Sequence, residues 1–230
     1  MAFGASSMFR RYGRRAALRR SALGIGIFLS VRPAGARAAQ PAGEVRLLIL
    51  GDSITAGYGL APEEAFPAQL QRLLREAGEA VRVIPAGVSG DTTAGGRARL
   101  DWALADRPQA VIVALGGNDG LRGLPPADSH ANLDDILNRL KARGLPTLLA
   151  GMLAPPNLGA DYGRDFAATF TRLAEAHPEA VFYPFLLEGV AGEPALNQPD
   201  RIHPNARGAA EMARRMLPAV RELLSKVQGG

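Results

Sequence analysis

Three residues of this chain have the types and the spacing that acyl transfer requires. Ser53 follows Gly51 and Asp52, and Asp200 stands three residues before His203. A serine hydroxyl is a weak nucleophile and needs a histidine base, whose tautomer and orientation a carboxylate fixes. In a turn, this spacing brings the Asp200 side chain within reach of the His203 ring and leaves the other ring nitrogen for Ser53. We therefore predict that Ser53, Asp200 and His203 are catalytic.

Donors for a developing oxyanion also stand close to the apolar runs of the sequence. Attack on a carbonyl carbon places negative charge on its oxygen, which preorganised hydrogen-bond donors must stabilise. The backbone N–H groups of Ser53 and Gly90 and the side-chain amide of Asn118 are suitable donors. Asn118 could instead occupy a left-handed turn beside Gly117, a frequent use of asparagine. Its position directly after a predicted strand favours the oxyanion role.

The elements that must position these residues are alternating strands and helices. Short apolar runs predict strands over residues 45–50, 80–84, 110–115, 146–150 and 180–183. Helical spacing of apolar residues predicts helices over residues 64–77, 93–104, 132–142, 166–176 and 206–226. Right-handed crossovers then give an α/β fold, a three-layer α/β/α sandwich around a five-stranded parallel sheet. The carboxyl ends of its strands share one crevice, where the polar residues converge.

The first 38 residues differ from the rest of the chain in charge and in apolar pattern. They contain eight arginines and no acidic residue, so the formal net charge of +5 becomes −3 without them. Arginines, an apolar run over residues 22–29 and small residues ending at Ala38 are typical of a cleaved secretory signal. The alternative is an amphipathic or disordered basic tail, but such a tail would not need the apolar run. We predict that the protein is periplasmic or secreted and is exported by the Sec or the twin-arginine route. We also predict one catalytic domain over residues 45–226.

Composition excludes several other classes of function. A chain of 230 residues with 47% hydrophobic residues can bury one sizeable core. It has no cysteine, hence no disulfide framework, thiolate metal site or thioether-linked lipid anchor. Asp52 and Asp119 could form an acid pair for metal or glycosidic chemistry, but no third ligand is evident, and we interpret both as loop-holding residues. We expect a monomer with no metal site, no nucleic-acid partner and no stable membrane anchor.

The combination of motifs resembles the SGNH hydrolases, also called the GDSL family. The signature blocks of that family are matched, in order, by Gly51-Asp52-Ser53, Gly90, Gly116-Gly117-Asn118-Asp119 and Asp200-x-x-His203. Ile54 replaces the leucine of the family name, a conservative departure. The longer strings around these blocks look like the bacterial periplasmic multifunctional esterases, which act as acyl-thioesterase, lysophospholipase and arylesterase.

The resemblance covers residues 45–225 and implies a flavodoxin-like sheet with strand order 2-1-3-4-5 and no metal or organic cofactor. It also implies that Ser53 is the nucleophile, His203 the base and Asp200 its orienting carboxylate, with Gly90 and Asn118 as oxyanion donors. The function expected from it is hydrolysis of carboxylic esters and thioesters of small acyl substrates.

The acyl groove is the least defined part of the predicted site. Apolar residues after the third and fourth strands could line it or could simply pack the loops, and we select Leu121, Leu153, Pro155 and Leu158. We expect medium to long acyl chains, with residues 157–162 forming one wall.

Two other functions would use parts of the same pattern. An exported carbohydrate O-acetyl esterase would share the catalytic set but needs an aromatic-lined groove, and the single tryptophan, Trp102, lies on a helix predicted to be buried. A non-catalytic flavodoxin-like binding protein would not need the catalytic set. His130 and His177 have no carboxylate at a useful spacing, and we expect both to be exposed.

Overall fold

The computed structural model describes residues 43–228 of the chain. The predicted signal peptide, residues 1–38, lies outside the described residues, as does its predicted cleavage site. Within the described part, no helix combines the length and the apolar character needed to cross a membrane.

Five parallel strands form one sheet in the order β2-β1-β3-β4-β5. They are β1 (Val45–Gly51), β2 (Val81–Gly87), β3 (Ala110–Ala114), β4 (Thr147–Ala150) and β5 (Val181–Tyr183). The last residue of β1, Gly51, is level with Gly87 of β2 and Ala114 of β3. This order is the one that the family resemblance implies, and the sheet confirms the predicted α/β architecture.

Helices connect the strands and cover both faces of the sheet. Those in the described residues are α1 (Ser53–Ala56), α2 (Phe66–Glu76), α3 (Thr93–Ala98), α4 (Leu100–Ala103), α5 (Gly117–Leu121), α6 (Pro126–Ala142), α7 (Ala160–Ala176) and α8 (Ala206–Gln228). Helix α2 packs against α8, whereas α6 packs against α3 and α7. Because right-handed crossovers that move in opposite directions place their helices on opposite faces, these two groups form the outer layers.

Strand β1 is the centre of the core. Its neighbours β2 and β3 bond to it on both edges, and its side chains from Leu47 to Leu50 are fully buried. Successive side chains of a strand point to opposite faces, so both faces of β1 are covered by helices. Each such burial contributes about 1.5–3 kcal/mol. A rigid strand therefore ends immediately before Asp52 and Ser53.

Several predicted boundaries were wrong. The predicted helix over residues 93–104 is interrupted at Arg99, which has φ −100° and ψ 8°. The break directs Leu100 and Ala103 into the core and turns Trp102 outward, where 72% of the residue is exposed, contrary to the prediction of burial. Helices α6 and α7 begin earlier than predicted; Pro126 is favourable in the first turn of α6, where no N–H is needed.

The prediction that His177 is exposed was also wrong. Only 4% of the residue is accessible, and its Nε2 lies 2.7 Å from Asp134 Oδ1 on α6. His130 is half-buried. Asp134 is distant from His177 in sequence, so local spacing carried no signal of this pair.

Candidate active site

Ser53 lies where β1 passes directly into α1. The Asp52 carboxylate accepts a hydrogen bond from the N–H of Ile54 at 3.0 Å and so caps the helix. Ser53 is the first residue of α1 and is 9% exposed. The strand and the cap fix the backbone on both sides of the hydroxyl group.

Asp200 and His203 are held in one turn before α8. Asp200 Oδ1 accepts the N–H groups of Ile202 at 2.9 Å and His203 at 3.0 Å. These bonds stabilise a turn in which Arg201 adopts the left-handed conformation, with φ 60°. Asp200 Oδ2 lies 2.7 Å from His203 Nδ1, and His203 Nε2 lies 2.9 Å from Ser53 Oγ. The structure thus brings the three predicted catalytic residues together in the predicted order.

The Asp200 carboxylate is strongly held in its ionised form. Burial has the largest single effect and raises its pKa, but the N–H groups of His203 and Ile202, the imidazole hydrogen bond and the charge of His203 together lower the pKa to about 2. A carboxylate at Nδ1 favours the tautomer that carries its proton there. The Nε2 lone pair is then directed to Ser53.

The predicted oxyanion donors stand in the loops after β2 and β3. Gly90 has φ 85°, a conformation that glycine adopts without a steric penalty. Asn118 Nδ2 donates to the carbonyl of Asp91 at 2.9 Å, and a primary amide carries a second N–H. Within residues 43–228, the N–H groups of Ser53 and Gly90 donate to no protein acceptor. Donors are therefore free on the loops that surround Ser53.

Asp119 holds the loops together, as predicted. Its carboxylate accepts the N–H of Thr93 at 2.8 Å, the Thr93 hydroxyl at 2.6 Å and the Ser129 hydroxyl at 3.1 Å. These bonds join α5 to α3 and α6. The Asp119 carboxylate is thereby occupied, and the carboxylate at His203 is that of Asp200.

Asp52 is a buried carboxyl group close to His203. Burial is the main influence and raises the pKa of Asp52 to about 6, opposed by the Ile54 N–H bond and by the charge of His203. The nearby Asp119 charge adds to the increase. Burial therefore moves the pKa of Asp52 from the acidic range to about 6.

We expect the substitution Asp52→Asn to remove a pH-dependent destabilisation. The pKa of Asp52 in the folded state, about 6, exceeds the ordinary value of 3.8. The protonated Asp52 carboxyl therefore contributes its full share to the free energy of unfolding below pH 3.8, and this contribution is lost as pH rises through 6. This difference corresponds to about 3 kcal/mol, and asparagine can still cap α1. Urea unfolding at pH 4 and pH 8 measures the effect.

The wild-type protein should lose about 2.5 kcal/mol relative to the Asp52→Asn variant between these two pH values, since at pH 4 the unfolded-state carboxyl is already partly ionised. The exposed Asp128, changed to asparagine, is the control and should follow the wild type. Parallel pH dependences of Asp52→Asn and the wild type would contradict the raised pKa.

The four predicted groove residues lie outside the cavity at the nucleophile. Leu121 and Leu153 are 43% and 48% exposed, while Pro155 and Leu158 are half-buried. The small cavity against Ser53, about 10 Å³, is lined instead by Ile54, Gly57, Tyr58, Leu60, Phe66, His203, Pro204 and Ala209. Residues 157–162 form the end of a short 3-10 helix and the first turn of α7. The exposed leucines follow β3 and β4, at the same edge of the sheet as Ser53.

Two residues that hold His203 were missed by sequence reasoning. The Tyr58 ring lies against the imidazole, with ring centroids 4.6 Å apart. The Gln198 side-chain amide donates to the carbonyl of Tyr58 at 2.7 Å and to that of Pro204 at 2.9 Å. Gln198 thereby joins the loop after α1 to the loop that carries His203. Tyr58 could have been found from the sequence, because it lies between two glycines in a loop shortly after Ser53. Gln198 belongs to no motif, so nothing in the sequence indicated its contacts.

Comparisons with known proteins identify relatives that cover the whole site. A sequence model described as the GDSL-like Lipase/Acylhydrolase family matches residues 49–211. Esterase TesA of Pseudomonas aeruginosa is 40% identical over 186 residues, which are 80% of this chain and 92% of that protein. Thioesterase 1/protease 1/lysophospholipase L1 of Escherichia coli K12 is 39% identical over 179 residues, which are 76% of this chain and 84% of that protein.

A solved structure agrees with these sequence matches. The crystal structure of AlinE4, described as an SGNH-hydrolase family esterase, aligns with a TM-score of 0.66 and 48% identity. The alignment covers 79% of this chain and 97% of AlinE4.

Proposed function

The chain belongs to the GDSL-like lipase/acylhydrolase family, and from this premise we propose that it is a serine hydrolase of acyl esters and thioesters that uses Ser53, His203 and Asp200. One observation carries the proposal: hydrogen bonds of 2.9 Å and 2.7 Å connect Ser53 Oγ through the His203 ring to Asp200. The names of its relatives support aryl esters, acyl thioesters and lysophospholipids as substrates.

Acylation begins at the Ser53 hydroxyl. Its Oγ attacks the carbonyl carbon of the substrate while His203 Nε2 takes the proton. The carbonyl oxygen becomes an oxyanion, which the N–H groups of Ser53 and Gly90 and the Asn118 amide stabilise. The bond to the leaving group then breaks, His203 returns the proton to the departing alcohol or thiol, and the acyl group remains on Ser53.

Deacylation repeats the same steps with water as the nucleophile. His203 Nε2 takes a proton from water, whose oxygen attacks the acyl carbon, and the oxyanion again lies among the same donors. Ser53 leaves with the proton from His203, and the carboxylic acid is released. Asp200 stays ionised throughout and stabilises the imidazolium, in agreement with its pKa of about 2.

The exposed apolar residues at the edge of the sheet where Ser53 lies support medium to long acyl chains as substrates. Leu121 and Leu153 follow β3 and β4 as large exposed apolar side chains, and such residues at a site are typical of apolar ligand surfaces. Transfer of each methylene onto an apolar surface contributes up to about 0.8 kcal/mol. We therefore expect kcat/KM to increase from nitrophenyl acetate to butyrate to octanoate.

We expect Leu121→Ser and Leu153→Ser each to lower kcat/KM for the octanoate about 10-fold, while acetate hydrolysis changes less than about twofold, because only the long chain loses apolar contact. Trp102→Ser is the matched control, since Trp102 is exposed on α4, before the amino end of β3. Hydrolysis confined to the acetate would contradict this substrate class.

The carbohydrate O-acetyl esterase is the alternative that the same experiment addresses. It requires an aromatic-lined groove; Tyr58 and Phe66 do line the cavity at Ser53, but at about 10 Å³ that cavity is too small for a sugar ring, and the single tryptophan is not among its lining residues. Faster turnover of acetylated sugars than of octanoate esters would favour that function. A non-catalytic binding protein would hydrolyse neither substrate.

We also propose that residues 1–38 are removed on export to the periplasm or the medium, by the Sec or the twin-arginine route, leaving a catalytic domain over residues 45–226. The arginines, the apolar run and Ala38 support this proposal. Sequencing the amino terminus of the exported protein should start at Ala39. We propose that this protein acts as a monomer on a small acyl substrate, without a cofactor, a nucleic-acid partner or a stable membrane anchor.

A further inference from the structure

Arg99, at the break between α3 and α4, reaches the backbone of the active site. Its Nε donates to Asp91 Oδ2 at 2.5 Å, and its Nη2 donates to the carbonyl of Gly51 at 2.8 Å. Only 16% of the Arg99 side chain and 17% of the Asp91 side chain are exposed. The guanidinium group therefore connects the end of β1 to the loop after β2 from a largely buried position.

Both partners of Arg99 adjoin residues of the proposed reaction. Gly51 is the last residue of β1, two positions before Ser53. Asp91 directly follows Gly90, and its own carbonyl accepts the hydrogen bond of the Asn118 amide at 2.9 Å. The Arg99 side chain thus connects the end of β1, just before Ser53, to Asp91. Asp91 is the neighbour of Gly90 and the hydrogen-bond partner of Asn118, the two predicted oxyanion donors.

We propose that Arg99 is a positioning residue that sets the Gly90 N–H and the Asn118 amide at the correct distance from Ser53. The inference rests on the proposed function, since it concerns the oxyanion donors of that reaction. Such donors act only when they lie about 2.7–3.1 Å from the oxyanion, and a displacement of about 1 Å can cost a factor of about 100 in rate. Asp91 is the point at which Arg99 controls both donors.

The local structure accommodates this bridge at a cost to stability. Arg99 Nη1 is buried and has no hydrogen-bond partner, which is unfavourable. At residue 95 a Cβ atom would lie 2.6 Å from Asp91 Oδ1, so the glycine there leaves room for the carboxylate. A largely buried ion pair is weak evidence for stability, because desolvation offsets the attraction between the charges. Stability therefore does not account for the Arg99–Asp91 pair, whereas positioning of the oxyanion donors does.

Steady-state kinetics of Arg99→Met on nitrophenyl butyrate tests the proposal. We expect kcat to fall about 10-fold to 100-fold while KM changes less than about twofold, because donors act mainly on the transition state. Arg99→Lys should recover part of the loss, since an ammonium group keeps the charge without the planar fork. The matched control is Arg139→Met, which should keep kcat: Arg139 also bonds to carboxylates, those of Asp101 and Asp135, and to one carbonyl, that of Arg97.

A double-mutant cycle separates positioning from a general loss of structure. In the Asn118→Ala background, Arg99→Met should reduce kcat by a much smaller factor than in the wild type, because one donor that it positions is already gone. An unchanged kcat in Arg99→Met, or the same fold-loss in both backgrounds, would overturn the proposal. If Arg99→Met fails to fold, Asp91→Asn tests the same bridge, and a folded Asp91→Asn variant with wild-type kcat would overturn it. Wild-type kcat in Asn118→Ala alone would also overturn the proposal, whereas a wild-type protein that hydrolyses no ester would contradict the proposed function.

Discussion

Ser53→Ala is expected to lower kcat for ester hydrolysis by a factor of about 10⁶, as the loss of a serine nucleophile does in other triads. The substitution removes the only atom that bonds to the acyl group and leaves β1 and the Asp52 cap in place. His203→Ala should cost about the same, and the double variant should lose little more, because the two residues act as one unit. Nitrophenyl butyrate hydrolysis at saturating substrate measures the effect.

The control for this prediction is Ser225→Ala. Ser225 lies on α8, is exposed and bonds only to the carbonyl of Glu222, so activity should be unchanged. A Ser53→Ala variant that keeps wild-type kcat would show that another residue is the nucleophile.

Asp200→Asn has the second-largest expected effect, a loss of about 10⁴-fold in kcat. The asparagine can still accept the N–H groups that shape the turn, so the loop should keep its conformation. Its amide can donate to His203 Nδ1, however, and that favours the tautomer in which Nε2 carries the proton and cannot accept one from Ser53. Circular dichroism should therefore match the wild type while kcat falls.

Asp134→Asn provides a matched control for this prediction. Asp134 and His177 form the other Asp–His pair of the described residues, with the same 2.7 Å separation as Asp200 and His203. That pair lies away from Ser53, and its substitution should leave kcat unchanged. Equal losses in the two variants would mean that Asp200 acts through folding rather than through the imidazole.

The sequence was sufficient for the sheet because the strands are short, mostly apolar runs with polar or glycine residues after them. Leu47 to Leu50 are buried on both faces of the sheet, as a continuous apolar run predicts for a central parallel strand. The Asp200–His203 pair was accessible for a similar reason, since a spacing of three in a turn settles the contact locally. The strands and the Asp200–His203 contact, which depend on local pattern, were therefore predicted correctly, whereas the first turns of α6 and α7 were missed.

The features that sequence reasoning missed depend on contacts between distant segments. The helix over residues 93–104 was expected to be continuous, because nothing in its pattern reveals that Arg99 bonds to the carbonyl of Gly51. The outward position of Trp102 follows from that break. Two further contacts join separate elements, and spacing along the chain cannot indicate them. They are the contact of His177 with Asp134 and that of Tyr58 with His203.

The most direct test of the central claim is to locate a covalent adduct. A fluorophosphonate reacts with an activated serine and leaves a stable phosphonyl group on its oxygen, which tandem mass spectrometry assigns to a residue. We expect one adduct per chain, on Ser53, with its formation greatly slowed by His203→Ala. An adduct on another serine, no adduct, or equal labelling of the His203→Ala variant would contradict Ser53 as the nucleophile that His203 activates.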